Sequence, residues 1–207
     1  MPILNNNLKR RIIELSKKYN LSHIGSCLTS CDLIDAIFQI KKKDEPFILS
    51  CGHAGLSLYS VIEKYEGKDA EKIFKHHGVH PDRCSLCGLD CSTGSLGMGG
   101  IISTGLALAN RDRNVYTLMS DGEIMEGVCW EMFRIASELN LVNLKVVINC
   151  NGWGAYREID TSDIIIKLRS FGWGVIKNED RDLLIRDIKT EIPNIPIAIV
   201  CITNPQF

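Results

Sequence analysis

The chain predicts an α/β fold: three layers, with a mostly parallel sheet of five or six strands and helices on both faces. Short apolar runs of strand length recur along the 207 residues, among them PFILS at 46–50, VYTLM at 115–119, LKVVIN at 144–149 and PIAIVCIT at 196–203. Segments with apolar residues at helical spacing separate them. Strands alternating with helices are the pattern of parallel crossover units. An apolar share of 45% is enough for one full core, and no repeat or low-complexity stretch divides it. Residues 1–207 therefore read as a single domain.

In order, Leu8, Ile12, Leu15 and Tyr19 mark a first helix. A second is expected from Ser30 or Cys31 to Ile40, with Leu33, Ile34, Ile37 and Phe38 inward and Ser30 or Asp32 as its cap. PFILS is the first strand, followed by helices near 54–65 and 69–77. Residues 78–100 carry Pro with Cys and then five Gly between 88 and 100, and read as a long functional loop between well-patterned neighbours. A helix over 99–110 and a charged turn over 111–114 lead into the second strand, 115–119. An amphipathic segment joins it to the third. Residues 163–171 read as a helix, 173–177 as the fourth strand, 181–189 as a helix and 196–203 as the fifth strand.

Composition excludes several classes. Twenty-four Lys plus Arg against 25 Asp plus Glu, with no basic stripe, argue against nucleic-acid binding. The longest apolar runs are strand-sized, so no membrane span is expected. The charged, amphipathic start MPILNNNLKRRIIELSKKY has no apolar signal core, which implies a cytoplasmic protein. Nine cysteines without a secretion signal imply reduced thiols. Most of them, such as Cys129, Cys150 and Cys201, read as small buried apolar residues.

The stretch 120–153 carries the strongest chemical signal. Asp121-Gly122 directly follows the second strand, and Asn151-Gly152 follows the third. Each pair alone is a common turn. In a parallel sheet, however, both loops lie at the carboxyl ends of adjacent strands, where such folds bind ligands. A carboxylate and an amide oxygen converging there are hard ligands of the kind Mg²⁺ takes when it also holds a diphosphate. Gly122 lets the backbone approach phosphate oxygens closely.

Six motifs extend the signal in order: SHIGS at 22–26, FILSCGHAGLSLYSVI at 47–62, HP at 80–81, STGSLGMG at 92–99, SDGEIMEG at 120–127 and NCNGW at 149–153. Together they resemble the N-terminal, diphosphate-binding domain of transketolase. The resemblance implies thiamine diphosphate and Mg²⁺ as cofactors, with Asp121, Asn151 and the backbone carbonyl of Trp153 as metal ligands. It implies that His53 approaches the diphosphate and thiazolium, beside Gly122 and Glu123. His23 and His80 match residues that surround the reacting carbon and hydrogen-bond substrate hydroxyls. Gly94, Ser95 and Leu96 belong to the loop that recognises the aminopyrimidine; Ser95 stands where the family usually has Pro. Glu126 matches a glutamate at the subunit boundary, although an acid at a helix start is an equal reading.

One feature departs from the family. Cys84, Cys87 and Cys91 form C-x₂-C-x₃-C beside His76, His77 and His80. A structural Zn²⁺ on these cysteines is one reading; free thiols or a redox-sensitive pair is the other. His76 and His77 have no family match and read as surface residues.

The family's pyrimidine-binding domain is not in this sequence, so the resemblance implies a split enzyme. A C-terminal transketolase subunit would complete the site, in an α2β2 heterotetramer acting on sugars or sugar phosphates by two-carbon ketol transfer. Decarboxylative condensation on the same cofactor, as in deoxyxylulose-phosphate synthases, and a noncatalytic interaction subunit are the alternatives. A nicotinamide-binding domain does not fit, because no Gly-x-Gly-x-x-Gly follows the first strand.

Overall fold

Five parallel strands form the centre of the computed structural model, which describes residues 6–154 and 157–204. They are β1 (Phe47–Leu49), β2 (Val115–Ser120), β3 (Leu144–Cys150), β4 (Gly174–Asn178) and β5 (Ile197–Ile202), ordered β1-β2-β3-β5-β4. Every pairing is parallel. Nine α-helices surround the sheet among the described residues: α1 (Asn6–Tyr19), α2 (Ile24–Ile40), α3 (Gly55–Glu66), α4 (Ala70–His77), α5 (Met98–Ala109), α6 (Asp121–Ile124), α7 (Gly127–Glu138), α8 (Thr161–Ser170) and α9 (Leu184–Ile188).

The strands are apolar on both faces, and alternate residues serve different layers. Tyr116, Leu118, Val147, Ile197 and Ile199 pack with residues of α1 to α4 and α9. Val115, Met119, Leu144, Val146, Ile148, Ala198 and Val200 pack with α5, α7 and α8. Each fully buried Leu or Ile contributes about 1.5–3 kcal/mol. The single buried indole donor is matched too: Trp173 Nε1 donates to the Phe133 carbonyl at 2.8 Å, tying β4's entry to α7.

The sheet order dictates the path of the long loop. Right-handed crossovers from β1 to β2 and from β2 to β3 place their last helices on one face, yet α3 and α4 pack on the other. Residues 78–97 must cross between faces, and they do so beside the free edge of β1. There the Phe47 amide donates to Asp90 Oδ2 at 2.9 Å and Thr93 Oγ1 donates to the Leu49 carbonyl at 2.7 Å. The loop thus covers an edge strand that would otherwise expose unpaired backbone groups, and it delivers residues 93–97 to the carboxyl end of the sheet.

One sequence expectation needs correction. α2 starts at Ile24, six residues before Ser30. Ser30 and Asp32 are interior to it and cap nothing; Asp32 pairs with Lys9 at 2.9 Å. The polar stretch Thr29-Ser30 faces a polar residue of the sheet, since Asn149 Nδ2 donates to Thr29 Oγ1 at 2.9 Å and to Ser30 Oγ at 3.0 Å. The amphipathic segment after β2 is two helices, α6 and α7, with Met125 and Glu126 between them.

Candidate functional site

β2 ends at Ser120, whose hydroxyl oxygen accepts from the Glu123 amide at 3.2 Å and turns the chain into α6. Asp121 therefore sits at the carboxyl edge, 1% exposed. Its Oδ1 accepts from the Gly122 amide at 2.9 Å and its Oδ2 from the Gly152 amide at 2.7 Å. The loops after β2 and β3 are thereby joined. Burial pushes the Asp121 carboxyl above its ordinary value, against the pull of those backbone donors. A Cβ on Gly122 would lie 3.5 Å from Gly154 Cα and 3.7 Å from the Trp153 carbonyl oxygen. Gly122 thus lies directly against the loop that carries the Trp153 carbonyl.

Asn151 closes its own turn, with Oδ1 accepting from the Trp153 amide at 2.9 Å. The Asp121 carboxylate, the Asn151 amide oxygen and the Trp153 carbonyl thus come from two touching loops. All are hard oxygen donors, and one carries charge, which suits a divalent ion shared with a diphosphate. The buried carboxyl without a cationic partner is the kind of group such an ion stabilises.

Three histidines gather nearby. His53 lies in a short 3₁₀ turn, 52–54, directly after β1. Its ring centroid is 5.1 Å from that of His23. Burial, and then the charges of His23 and His80, push His53 down to about 4. At neutral pH its imidazole is uncharged and can both donate and accept. His23 occupies the position before α2 with φ 62°. His80 lies against the 93–97 loop: a Cβ on Gly94, where φ is +148°, would be 3.0 Å from His80 Cδ2. Gly52 is equally constrained, since a Cβ there would stand 2.8 Å from the Gly94 nitrogen. His23 and His80 are exposed and His53 is partly buried, so the trio opens toward solvent at the loop edge.

Glu123 and Glu126 part company. Glu123 is fully buried. Its Oε1 accepts from Ser50 Oγ at 2.6 Å and from the Gly97 amide at 2.7 Å, while Oε2 is without a hydrogen-bond partner. It ties the β1 loop, the β2 loop and the start of α5 together beneath the histidines. Glu126 is exposed at the start of α7 and makes no side-chain cap. Ser95 and Leu96 are also exposed.

Sequence reasoning passed over Ser50, Gly52 and Asn149. Each had a signal: a polar or small residue at the carboxyl end of an apolar strand. It also placed the cysteine cluster differently. Cys84 and Cys87 group with His77, their ligand atoms all within 4.8 Å of one another. Cys91 stands apart, its thiol donating to the Ser92 carbonyl. His77, expected on the surface, is half-buried, with Nε2 at 3.3 Å from Cys87 Sγ. All nine cysteines are free. No helix among the described residues is long and apolar enough to cross a membrane.

A parallel sheet with a carboxylate, an amide and histidines at its carboxyl edge defines a domain built for a phosphorylated cofactor. Comparison with known proteins gives its family. The model of the transketolase thiamine diphosphate binding domain matches residues 7–195, and the chain belongs to that family. It is 28% identical over 194 residues to the 6-deoxy-6-sulfo-D-fructose transketolase subunit SqwG of Clostridium sp. (strain MSTE9), covering 82% of this chain and 70% of that protein. It is 30% identical over 211 residues to the transketolase of Scheffersomyces stipitis, covering 84% of this chain and 30% of that protein. Among solved structures, transketolase from Campylobacter jejuni superposes with a TM-score of 0.84 at 21% identity, over 96% of this chain and 36% of that one. A Pichia stipitis transketolase solved in complex with sedoheptulose-7-phosphate gives 0.79 at 25% identity, over 95% and 35%. The chain thus spans about a third of these transketolases, and 70% of the Clostridium subunit.

Proposed function

We propose that this chain is the diphosphate-binding component of a two-component transketolase. In this reading Asp121, Asn151 and the Trp153 carbonyl hold Mg²⁺, and Gly122 and His53 face the diphosphate. The observation that carries it is the junction of the Asp121 and Gly152 loops at the carboxyl edge, beside three converging histidines. The pyrimidine-binding domain comes from a second polypeptide, a C-terminal transketolase subunit, in an α2β2 assembly. The SqwG relative, itself called a transketolase subunit, supports a separate second chain. Leu96, Met98 and Trp153, 37%, 43% and 60% exposed at the loops proposed to hold the cofactor, are apolar residues that a partner would cover. Nine free thiols suit a reducing cytoplasm.

Thiamine diphosphate, when bound, supplies a nucleophilic carbon that accepts the electrons of a cleaved carbon–carbon bond. The chain's own groups do the rest. His23 and His80 hold the hydroxyls of a ketose donor or an aldose acceptor, sugars or sugar phosphates. His53, neutral at working pH, moves a proton at a substrate oxygen, a role worth about two to four orders of magnitude. Gly94, Ser95 and Leu96 present backbone groups to the aminopyrimidine. Glu123 positions the three loops, and Glu126 lies toward the second active site of the assembly.

The test is reconstitution. The chain with its partner, thiamine diphosphate and Mg²⁺ should transfer a two-carbon unit from a ketose, and Asp121→Ala should abolish it. Full activity of the chain alone would remove the two-component reading. Turnover of pyruvate in place of a ketose would replace ketol transfer by decarboxylative condensation.

A further inference from the structure

The loop that carries His80 and residues 93–97 also contains a turn with its own chemistry. Cys84 and Leu89 exchange both backbone hydrogen bonds at 2.9 Å, which closes Cys84-Ser85-Leu86-Cys87-Gly88-Leu89 into a tight hairpin-like knuckle. Inside it the Cys87 amide lies 3.1 Å from the Cys84 carbonyl and 3.3 Å from Cys84 Sγ, and the Gly88 amide donates to the Ser85 carbonyl at 3.3 Å. Gly88 takes φ +80°, and a Cβ there would stand 2.8 Å from Glu66 Oε2. The left-handed φ is what favours Gly here, since the Glu66 carboxylate can swing aside. The effect of the turn is to bring two sulfurs within 4.8 Å of one another and to aim the Cys87 N–H at the Cys84 sulfur.

The third member arrives from another element. His77 is the last residue of α4, and its Nε2 lies 3.3 Å from Cys87 Sγ. The three ligand atoms fall within 4.8 Å of one another. With Zn–S near 2.3 Å and Zn–N near 2.0–2.1 Å, tetrahedral geometry separates such atoms by about 3.6–3.8 Å. The His77–Cys87 pair, at 3.3 Å, is at that scale, and the other separations, within 4.8 Å, need close by no more than about an ångström.

We propose that His77, Cys84 and Cys87 bind a zinc ion, which fastens the end of α4 to the loop bearing His80 and residues 93–97. Cys91 is not a ligand, since its thiol is turned to the Ser92 carbonyl. Three protein ligands leave a fourth position, which water fills. The ion sits outside the cofactor site and anchors it from behind. The knuckle leads at once to Asp90 on the Phe47 amide and Thr93 on the Leu49 carbonyl. Binding converts two thiols to thiolates with release of their protons and involves no redox step.

The experiment uses the full chain, purified under reducing conditions and then cleared of metal. Zinc measured after reloading should reach one per chain, and Co²⁺ titration should produce the visible bands of a tetrahedral ion with a thiolate-to-cobalt charge-transfer band. C91S should keep both signals. C87S and H77Q should lose bound zinc, and C87S should weaken the charge-transfer band. A wild-type chain that takes no zinc overturns the assignment. So does a cobalt spectrum without a thiolate band, or loss of zinc in C91S equal to that in C87S. Should C87S not fold, the cobalt spectra of the wild type and C91S decide: a histidine-only or carboxylate site gives no thiolate band, and a site that used Cys91 loses part of its band in C91S. None of these readings involves thiamine diphosphate.

Discussion

His53 is held neutral by its surroundings, and that has a thermodynamic consequence. Its folded-state value, about 4, lies below the ordinary 6.5, so between those pH values the unfolded chain binds more protons than the native one. Stability from this residue is complete above pH 6.5 and is lost as pH falls toward 4. After discounting for partial exposure, the loss is on the order of 2 kcal/mol. His53→Gln should therefore lose about that much less than the wild type between pH 7.5 and 4.5, read as the difference in urea-derived stability. Equal losses would mean that His53 is not held neutral. Glu123 offers a second residue-level test. Glu123→Ala strands the Ser50 hydroxyl and the Gly97 amide in a dry site and should cost about 2–4 kcal/mol. Glu123→Gln keeps an accepting oxygen for both and should cost about 1 kcal/mol in the same urea assay.

At the scale of elements, α5 shows how position decides the value of a glycine. Gly97, just before it, has φ +84°, and a Cβ would stand 2.4 Å from Val128 Cγ1 on α7. Gly97→Ala combines left-handed strain with overpacking and should cost about 2–4 kcal/mol. Gly105, within α5, has open space around it. Gly105→Ala should stabilise the chain by about 0.5–1 kcal/mol. Opposite signs in urea unfolding are the expected result; destabilisation by both would show that Gly105 lies against something else. The strands were legible in the sequence because each is an apolar run bounded by turn residues, and their parallel pairing followed from the helices between them. The start of α2 was not, because Ser30 and Asp32 look like helix caps until Asn149 is known to face Ser30 and Lys9 to pair with Asp32. Asp121, Asn151 and the histidine motifs could be singled out in sequence because strand ends in a parallel sheet share one edge. His77 could not, because its neighbours Cys84 and Cys87 reach it only through the fold of the 78–97 loop. Cys91 was mistaken for their companion on spacing alone.

At the scale of the whole molecule, the proposed division of labour is asymmetric: this chain grips a diphosphate and a metal, and the partner closes over the ring system. Ligand that binds only the folded state stabilises it in proportion to occupancy, by about 2.7 kcal/mol at a hundred times its dissociation constant. For a domain of this size that raises the melting temperature by roughly 5–10 °C. The isolated chain should show such a shift with Mg²⁺ and thiamine diphosphate together and a smaller one with either alone. Inorganic pyrophosphate with Mg²⁺ should reproduce most of it, because in the proposed site the groups joined at Asp121 and Gly152 meet the diphosphate and not the pyrimidine. Adding the partner chain should separate the two ligands, raising the shift for the whole cofactor and leaving that for pyrophosphate nearly unchanged. Asp121→Asn keeps the size of the side chain but replaces one accepting oxygen, opposite a backbone donor, with an N–H group. It should erase the Mg²⁺-dependent shift with both ligands. A variant that still shows the full shift would remove the metal from this edge of the sheet, and with it the reason for the two loops to meet there.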